Sequence, residues 1–332
     1  MPVADRNEEL RAALDAVRAA SRICRAVQAR RIDADTIEKQ DRSPVTVADF
    51  ASQAIVCRRL AEAFPDDPVV GEENADELRG SDRAAAREGV VEHVAAEVGS
   101  ETDAGQVLDW IDRGGADARA DRYWTLDPID GTKGFLRGEQ YAVALALIEA
   151  GEVVLGVLGC PNLPAADGSL GSLFAARAGG GALSYALGDA SDRSGAPVSV
   201  QPVTSPADAR FCESVESGHS NQSESAAIAR RLGIEREPFR IDSQCKYAAV
   251  ARGDASIYLR LPTREDYREK IWDHAAGKLV VEAAGGTVSD VNGRPLDFRH
   301  GRTLEENRGI VATAGPIHDA VLEAVQQVRG AA

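Results

Sequence analysis

Residues 124–132 read Trp-Thr-Leu-Asp-Pro-Ile-Asp-Gly-Thr, and this stretch decides how the surrounding chain is interpreted. It continues an apolar run, residues 123–126, that predicts a β-strand. Pro128 has a restricted φ angle and favours an extended residue before it. We therefore predict a sharp turn between Asp127 and Asp130 that lets both carboxylates converge on one cation.

The same turn offers further oxygen ligands and room for an anion. The carbonyl of Ile129 adds a third oxygen, and ligand sets made only of oxygen favour Mg²⁺ or Mn²⁺ over zinc. Gly131 allows a phosphate to come close to the backbone. If a helix begins here, the amides of Gly131 and Thr132 form an anion-binding helix N-terminus. The turn thus combines predicted metal ligands with a predicted phosphate site.

Three further acidic positions are candidates for the same site. Asp49 lies in the first turn of a predicted helix that ends near Ala63. Glu72 follows a short predicted strand, and Asp273 lies at the start of a helix predicted over residues 272–284. Taken singly, Asp49 is typical of a helix cap and the other two are typical of solvated carboxylates. Their combination with the turn favours a shared site.

The composition excludes several classes of protein. The chain has 332 residues, a net charge of −15 and five cysteines without a Cys-x-x-Cys pair. That cysteine pattern is typical of reduced thiols, and the acidic balance argues against nucleic-acid binding. No apolar run is long enough to span a bilayer, and residues 1–9 are too polar for a signal peptide. We therefore expect a cytoplasmic protein whose acidic charge must be reversed locally by bound cations if it binds a phosphate.

The apolar patterns divide the chain into two expected domains, residues 1–200 and 201–332. In the first, an amphipathic helix over residues 8–30 and a second helix precede short strand-like runs, which predict an antiparallel meander. Residues 75–121 contain one predicted helix, Ala84–Val98, and we interpret them as a surface insertion. In the second domain, strands and helices alternate. The predicted fold class is an α+β domain followed by an α/β domain.

These blocks resemble, in order and spacing, those of the inositol monophosphatase superfamily of lithium-sensitive phosphatases. Residues 124–141 are most similar to its 3′(2′),5′-bisphosphate nucleotidase branch. The other matching blocks are residues 43–49, 70–74, 242–247, 258–262, 269–277 and 282–286. The resemblance implies a two-domain layered αβαβα sandwich of the inositol monophosphatase and fructose-1,6-bisphosphatase type, with the site between the domains.

The resemblance also implies a role for individual residues. Two or three Mg²⁺ ions, which Mn²⁺ can replace, are expected in a shell formed by Glu72, Asp127, Asp130, Asp273 and the carbonyl of Ile129. Asp49, together with Thr132, is expected to orient and deprotonate the attacking water. The expected substrate contacts are Gly131, Thr132, Lys133, His219, Ser243, Lys246, Arg260 and Asp273.

The implied reaction is hydrolysis of the 3′-phosphate of adenosine 3′,5′-bisphosphate to AMP, with 3′-phosphoadenylyl sulfate as a second substrate. Lys133 resembles the nucleotidase branch, and Lys246 and Arg260 suit a second phosphate, although each is also typical of a surface charge. His219 is equally typical of a loop histidine. The alternatives are an inositol phosphate or inositol polyphosphate 1-phosphatase and a non-catalytic nucleotide-binding sensor. Monomer and homodimer both remain open.

Overall fold

Two large β-sheets alternate with layers of helices in the structure, a computed structural model that describes residues 6–29, 36–38, 44–189, 191, 194–215, 222–262, 264 and 266–330. The helices are α1 (Asn7–Ala29), α2 (Val47–Ala63), α3 (Asp76–Arg79), α4 (Ala84–Val98), α5 (Ala104–Asp112), α6 (Thr132–Leu136), α7 (Gln222–Leu232), α8 (Cys245–Ala251), α9 (Ala275–Ala283) and α10 (His318–Gly330). The strands are β1 (Thr36–Glu38), β2 (Pro44–Thr46), β3 (Val69–Gly71), β4 (Arg122–Asp130), β5 (Ala142–Glu149), β6 (Glu152–Pro164), β7 (Leu170–Arg177), β8 (Ala182–Ala186), β9 (Ala196–Val198), β10 (Phe211–Glu213), β11 (Phe239–Arg240), β12 (Ile257–Arg260), β13 (Thr287–Ser289) and β14 (Ile310–Thr313).

The first sheet has the order β3-β4-β5-β6-β7-β8-β9, and β1 and β2 form a separate hairpin. β3 runs parallel to β4, and the strands from β4 to β9 form the antiparallel meander that the sequence predicts. β5 is buried on both faces, because helices cover each side of the sheet. This explains why its sequence is continuously apolar and does not alternate.

Three buried clusters show that the molecule has five layers. The first cluster joins α1 and α2 to one face of the first sheet, and Val17, Val143 and Leu145 are among its members. The second joins the opposite face of that sheet to α8, α9 and one face of the second sheet. The third joins the outer face of the second sheet to α7 and α10. The layer order is therefore α, β, α, β, α, as predicted.

The strand β4 continues through Asp130, so the prediction of a sharp turn between Asp127 and Asp130 is wrong. Asp127 pairs with Ala144 and Asp130 with Ala142, so three steps on β4 match two on β5. Pro128 has no N–H to donate to the ladder, which fits a β-bulge at this point. Carboxylates three residues apart on a regular strand would point to opposite faces. The extra residue instead lets both reach the same side, and the chain turns at Gly131, where φ is +90°.

The second sheet has the order β11-β10-β12-β14-β13 and mixes parallel with antiparallel pairs. Its strand β14 was not predicted from the sequence, although its short apolar run lies between Gly309 and Gly315. The helix predicted over residues 272–284 begins later, at Ala275, so Asp273 lies in the segment before it. The neighbouring α8 and α10 were expected close to their observed positions.

The interpretation of residues 75–121 as a surface insertion is wrong, although the one helix predicted within them is present. The predicted helix α4 is present with its exact bounds, but the segment also forms α3 and α5. Leu78, Val107 and Ile111 are buried in the cluster beneath α2. Gly114 accepts a hydrogen bond from the amide of Gly71 at 2.8 Å, so the segment also completes the edge of the first sheet.

The chain passes from the first sheet to the second between Val198 and Phe211. This is close to the predicted boundary at residue 200, although the division into two domains stays a prediction. Among the residues that the structure describes, none of the helices combines the length and the apolar character that crossing a bilayer requires.

Candidate functional site

A cleft of about 270 Å³ lies where the end of β4 meets the turn before α8 and the segment before α9. Residues from both sheets line it, which fits the predicted position of the site. The lining residues are Glu72, Asp127, Ile129, Asp130, Gly131, Thr132, Lys133, Gly134, Ser214, Asp242, Ser243, Lys246, Tyr258, Arg260, Tyr267, Asp273 and His274. The structure thus brings together most of the predicted site residues.

Asp127 is the most deeply buried carboxylate of the cleft. Its side chain is 2% exposed, and within the described part of the chain its Oδ1 atom has no hydrogen-bond partner. Burial raises the pKa of Asp127 well above its ordinary value, and the negative charges of Glu72, Asp130 and Asp273 raise it further. A buried carboxylate with an unpaired oxygen beside three others is costly unless a cation compensates the charge.

Asp130 joins the bulge of β4 to the turn before α8. Its Oδ2 accepts a hydrogen bond from the amide of Gln244 at 2.5 Å. Burial raises its pKa, while the charges of Lys246 and Arg260 act in the opposite direction. A Cβ atom at Gly131 would lie 2.8 Å from the Cβ of Ser243, so the two turns pack closely against each other. Ser243 itself has a φ of +63°, a strained conformation of the kind that clusters at functional sites.

Asp273 is contributed by the second half of the molecule. Burial raises its pKa well above the ordinary value, against the opposing charge of Arg260, and the charges of Asp130 and Glu72 raise it further. These mutual effects show that the carboxylates lie close enough to repel one another. The cleft therefore contains an acidic cluster that fits a divalent cation, because bound positive charge is what the repelling oxygens lack.

Another group of potential ligands within the described residues consists of Glu269, Asp273 and His274, with one atom of each within 4.8 Å of the others. Glu269 accepts hydrogen bonds from Arg260 Nε at 2.8 Å and from His274 Nε2 at 3.2 Å. The other ring nitrogen of His274 is 2.8 Å from the hydroxyl of Tyr247. Since these bonds engage Glu269 and His274, we interpret the group as an ion-pair network next to Asp273.

The two predicted catalytic residues lie at different depths. Thr132 lines the cleft and donates a hydrogen bond from Oγ1 to the carbonyl of Ile129 at 3.3 Å. Asp49 lies in the first turn of α2, is 1% exposed and is not one of the cleft-lining residues. Its charge raises the pKa of Asp127, so the two carboxylates lie near each other.

Two basic side chains, Lys246 and Arg260, line the same cleft as the carboxylates. Lys246 is 4% exposed, donates to Ser214 Oγ at 3.1 Å and lies over the ring of Tyr258. Burial lowers its pKa, and the charge of Asp130 opposes this effect. Burial also acts to lower the pKa of Arg260, but Glu269 outweighs it and holds that pKa well above the ordinary value. Both groups therefore have carboxylate neighbours, and both line the cleft.

Lys133 is exposed at the rim, at the start of α6, while Ser243 lies on the wall beside Lys246. α6 begins at Thr132, where the sequence predicts a helix start, but it spans only five residues. The predicted anion-binding role of its first amides stays a prediction. His219 falls outside the described residues.

Several residues of the cleft were missed in the sequence. Ser214, Asp242 and Tyr267 line it, and Glu269 holds Arg260 from behind. One signal could have found the first two, because Ser214 and Asp242 follow the carboxyl ends of β10 and β11, which run parallel. Ligands of open α/β sheets bind at that edge.

Comparison with known proteins agrees with this geometry. The model of the inositol monophosphatase family matches residues 5–329. A 3′(2′),5′-bisphosphate nucleotidase of Schizosaccharomyces pombe is 46% identical over 308 residues, covering 89% of this chain and 87% of the relative. A protein of the same name from Oryza sativa is 44% identical over 340 residues, covering 96% and 93%.

Solved structures show the same fold at lower identity. The IMPase of Thermotoga maritima superposes with a TM-score of 0.63 at 21% identity, covering 96% of each chain. The inositol monophosphatase of Anabaena gives a TM-score of 0.61 at 20% identity, covering 96% of this chain and 95% of that one. The predicted layered fold of this type is confirmed. With the family match over nearly the whole length, these findings show that the chain belongs to the inositol monophosphatase family.

Proposed function

We propose that the protein is a Mg²⁺-dependent phosphatase that removes the 3′-phosphate of adenosine 3′,5′-bisphosphate, giving AMP and inorganic phosphate. The observation that carries this proposal is that one cleft combines the carboxylates around Asp127 with the basic side chains of Lys246 and Arg260. A bisphosphate needs both kinds of group, because cations neutralise the reacting phosphate while fixed basic side chains hold the second one. The names of the relatives from Schizosaccharomyces pombe and Oryza sativa support the choice of a nucleotide.

The proposed metal shell consists of Glu72, Asp127, Asp130, Asp273 and the carbonyl of Ile129, all of which line the cleft. Two or three Mg²⁺ ions, or Mn²⁺ in their place, would supply the positive charge that the phosphoryl oxygens require. The unpaired Oδ1 of Asp127 supports this assignment.

The chemistry is displacement at phosphorus by water. The water oxygen forms a bond to phosphorus, the bond from phosphorus to the 3′-oxygen breaks, and the leaving oxygen takes up a proton. We assign Thr132 and Asp49 to orienting the water and accepting its proton. Thr132 lines the cleft and is held by its bond to Ile129, and Asp49 is close enough to Asp127 for its charge to raise the pKa of that group.

The remaining wall residues are assigned to the substrate. Lys246 and Arg260 would hold the 5′-phosphate, and Ser243, Gly131 and Lys133 would contact the reacting end of the molecule. The same contacts would accept 3′-phosphoadenylyl sulfate, which carries a sulfate on that 5′-phosphate. We therefore propose it as a second substrate.

The substrate is tested by measuring kcat/KM for phosphate release from adenosine 3′,5′-bisphosphate, 3′-phosphoadenylyl sulfate and inositol 1,4-bisphosphate, each with and without Mg²⁺. We expect release only with Mg²⁺ and at least about a tenfold preference for the nucleotides, the effect of one interaction of about 1.4 kcal/mol. Preference for the inositol compound would contradict the nucleotide assignment and leave a phosphatase. Release from none of the substrates would favour a non-catalytic nucleotide-binding protein.

The metal shell is tested with Asp127→Asn. We expect it to lose more than about 100-fold in kcat, because even the loss of a residue behind a metal ligand costs about 10–100-fold. Asp109→Asn is the matched control, since Asp109 is an exposed carboxylate on α5. Unchanged turnover of Asp127→Asn would show that the metal assignment is wrong, whatever the substrate.

A further inference from the structure

Arg302 connects the two halves of the carboxylate cluster. It donates from Nη1 to the carbonyl of Ala116 at 2.9 Å and from Nη2 to the carbonyl of Gly71. Its guanidinium carbon lies 4.7 Å from the centre of the Trp272 ring. One side chain therefore contacts the edge of the first sheet and the segment that precedes α9.

Two of these contacts are next to a carboxylate of the cleft. Gly71 is the last residue of β3 and precedes Glu72, and Trp272 precedes Asp273. Glu72 follows a strand of the first sheet and Asp273 lies in the segment before α9, so the distance between them depends on how these two parts of the chain are held together. Arg302 spans that junction.

The backbone of Arg302 is fixed to the same segment. Its carbonyl accepts a hydrogen bond from the amide of Ile271 at 3.2 Å, and the neighbouring Leu304 donates to the carbonyl of Glu269 at 2.8 Å. Lys270 and Thr303 form an antiparallel bridge. A displacement of Arg302 would therefore move the chain just before Trp272.

The positive charge of the Arg302 side chain also suits its surroundings. Arg302 is half-buried, and burial lowers its pKa while the charge of Glu72 opposes that effect. The ammonium of Lys270 also lies over the Trp272 ring, 5.8 Å from its centre. Two cations therefore contact this indole, and such contacts are favourable for an aromatic face.

We propose that Arg302 is a positioning residue that sets the separation of Glu72 and Asp273 and so preforms the divalent-cation site. The inference rests on the proposed metal shell but not on the identity of the substrate. Arginine suits this role, because its planar fork donates to two carbonyls while its face stacks on an indole. Lysine at this position keeps the charge but donates from a single atom.

The test measures the Kd for Mn²⁺ by isothermal titration calorimetry on metal-free protein, with kcat and KM then measured at saturating Mn²⁺. Arg302→Met should raise the Kd about 10–100-fold, the range for residues that support metal ligands. Its kcat at saturating Mn²⁺ should stay within about threefold of the wild type, because the ligands themselves are intact. Arg302→Lys should raise the Kd by a smaller factor, about 3–10-fold.

The matched control is Arg299→Met, which removes an exposed arginine paired with Asp297 and should leave the Kd unchanged. An unchanged Kd in Arg302→Met contradicts the proposal, as does a kcat that stays more than about tenfold low at saturating Mn²⁺. If circular dichroism shows that Arg302→Met does not fold, Arg302→Lys decides, and an unchanged Kd in that variant overturns the proposal. Failure of the wild type to bind Mn²⁺ contradicts the metal shell itself and this inference with it.

Discussion

Glu269 is not among the residues that line the cleft, but it contacts two residues that do, Arg260 and His274. It is 5% exposed, and its Oε2 accepts from both Arg260 and His274. Burial acts to raise its pKa, but the hydrogen bond from His274 and the charge of Arg260 outweigh that and lower it. The carboxylate is therefore ionised and fixes the guanidinium of Arg260 against the cleft wall.

We predict that Glu269→Gln selectively weakens the binding of a substrate with two phosphates. Glutamine keeps the shape but loses the charge, so Arg260 loses its anchor. The KM for a bisphosphate should rise about tenfold, corresponding to about 1.4 kcal/mol, while the KM for a monophosphate stays within about twofold. Steady-state kinetics on adenosine 3′,5′-bisphosphate and 3′-AMP measure the difference.

Glu282→Gln provides the control for this prediction. Glu282 pairs with Lys278 on the neighbouring helix α9 and does not line the cleft. Both KM values should therefore stay at the wild-type level in that variant. A Glu269→Gln enzyme whose two KM values rise equally would show that Glu269 supports the cleft in general and not the second phosphate.

Only some of the residues in and around the cleft could be identified from the sequence. Asp127, Asp130 and Asp273 were identified because carboxylates carry recognisable chemistry in a recognisable motif. Glu269 and Arg302 were not, because each acts through a partner that lies elsewhere in the sequence. Nothing in an isolated Glu or Arg indicates which side chain it will hold.

At the scale of elements, the junction of β4 and α6 depends on Gly131. Its φ of +90° is a conformation that other residues adopt only at a cost, and a Cβ there would lie 2.8 Å from the Cβ of Ser243. An alanine must therefore push the turn before α8 away. That movement would strain the 2.5 Å bond between Gln244 and Asp130.

We predict that Gly131→Ala lowers kcat about 10–100-fold, because a displacement of about 1 Å in a catalytic site can cost 100-fold. Gly138→Ala is the matched control, since Gly138 also has a positive φ, +73°, but nothing lies within 4 Å of its added Cβ. Both variants should lose about 1–2 kcal/mol of stability from the backbone conformation alone. Kinetics and thermal melts of the pair separate the two effects, and equal losses of kcat would contradict the role of the Ser243 contact.

Some helices and strands could be predicted from the sequence and others could not. The amphipathic helix α1 was found nearly to the residue, because its helical periodicity appears within one segment. The helix α4 was also found, although its apolar residues are not gathered on one face. The bulge in β4 was not, since it depends on the partner register in β5. The strand β14 was missed because a short buried strand has no period of its own and owes its place to β12 and β13.

At the scale of the whole molecule, the layer order followed from family resemblance and not from periodicity. The sequence pattern alone gave two expected domains and an insertion, yet residues 75–121 contribute Val107 and Ile111 to the first core. The polar composition of residues 75–121 suggested a surface segment, because apolar residues are a minority there. Which of these residues are buried becomes clear only from their contacts with α2 and the rest of the first core.

One ion-pair cluster joins the segment before α1 to the strands β4 and β5, which are far from it in sequence. Glu149, the last residue of β5, accepts hydrogen bonds from both terminal nitrogens of Arg6 at 2.7 Å, just before α1. It also accepts from Arg122 at the start of β4, which in turn contacts Asp67 at 2.9 Å. The cluster thus holds the beginning of α1 against the start of β4 and the end of β5.

We predict that this cluster makes part of the stability depend on pH. The hydrogen bond from Arg6 lowers the pKa of Glu149 below its ordinary value of 4.5, against the effect of burial. Its contribution is therefore complete above pH 4.5 and is lost as the pH falls through the lowered folded-state pKa. Glu149→Gln should cost at most about 1 kcal/mol at neutral pH, since the pair is partly exposed, and should lower Tm by roughly 2–4 °C.

Thermal melts from about pH 7 down to about pH 3 measure this effect, because the difference between wild type and Glu149→Gln should shrink as Glu149 becomes protonated. Added salt should reduce the difference at neutral pH, as expected for an exposed pair. Glu152→Gln is the matched control, because Glu152 is an exposed carboxylate directly across the β5–β6 hairpin and should show no such difference. If the difference in Tm between wild type and Glu149→Gln stays the same in acid, Glu149 stabilises the protein by packing. Any loss of stability around α1 in acid would then come from other carboxylates.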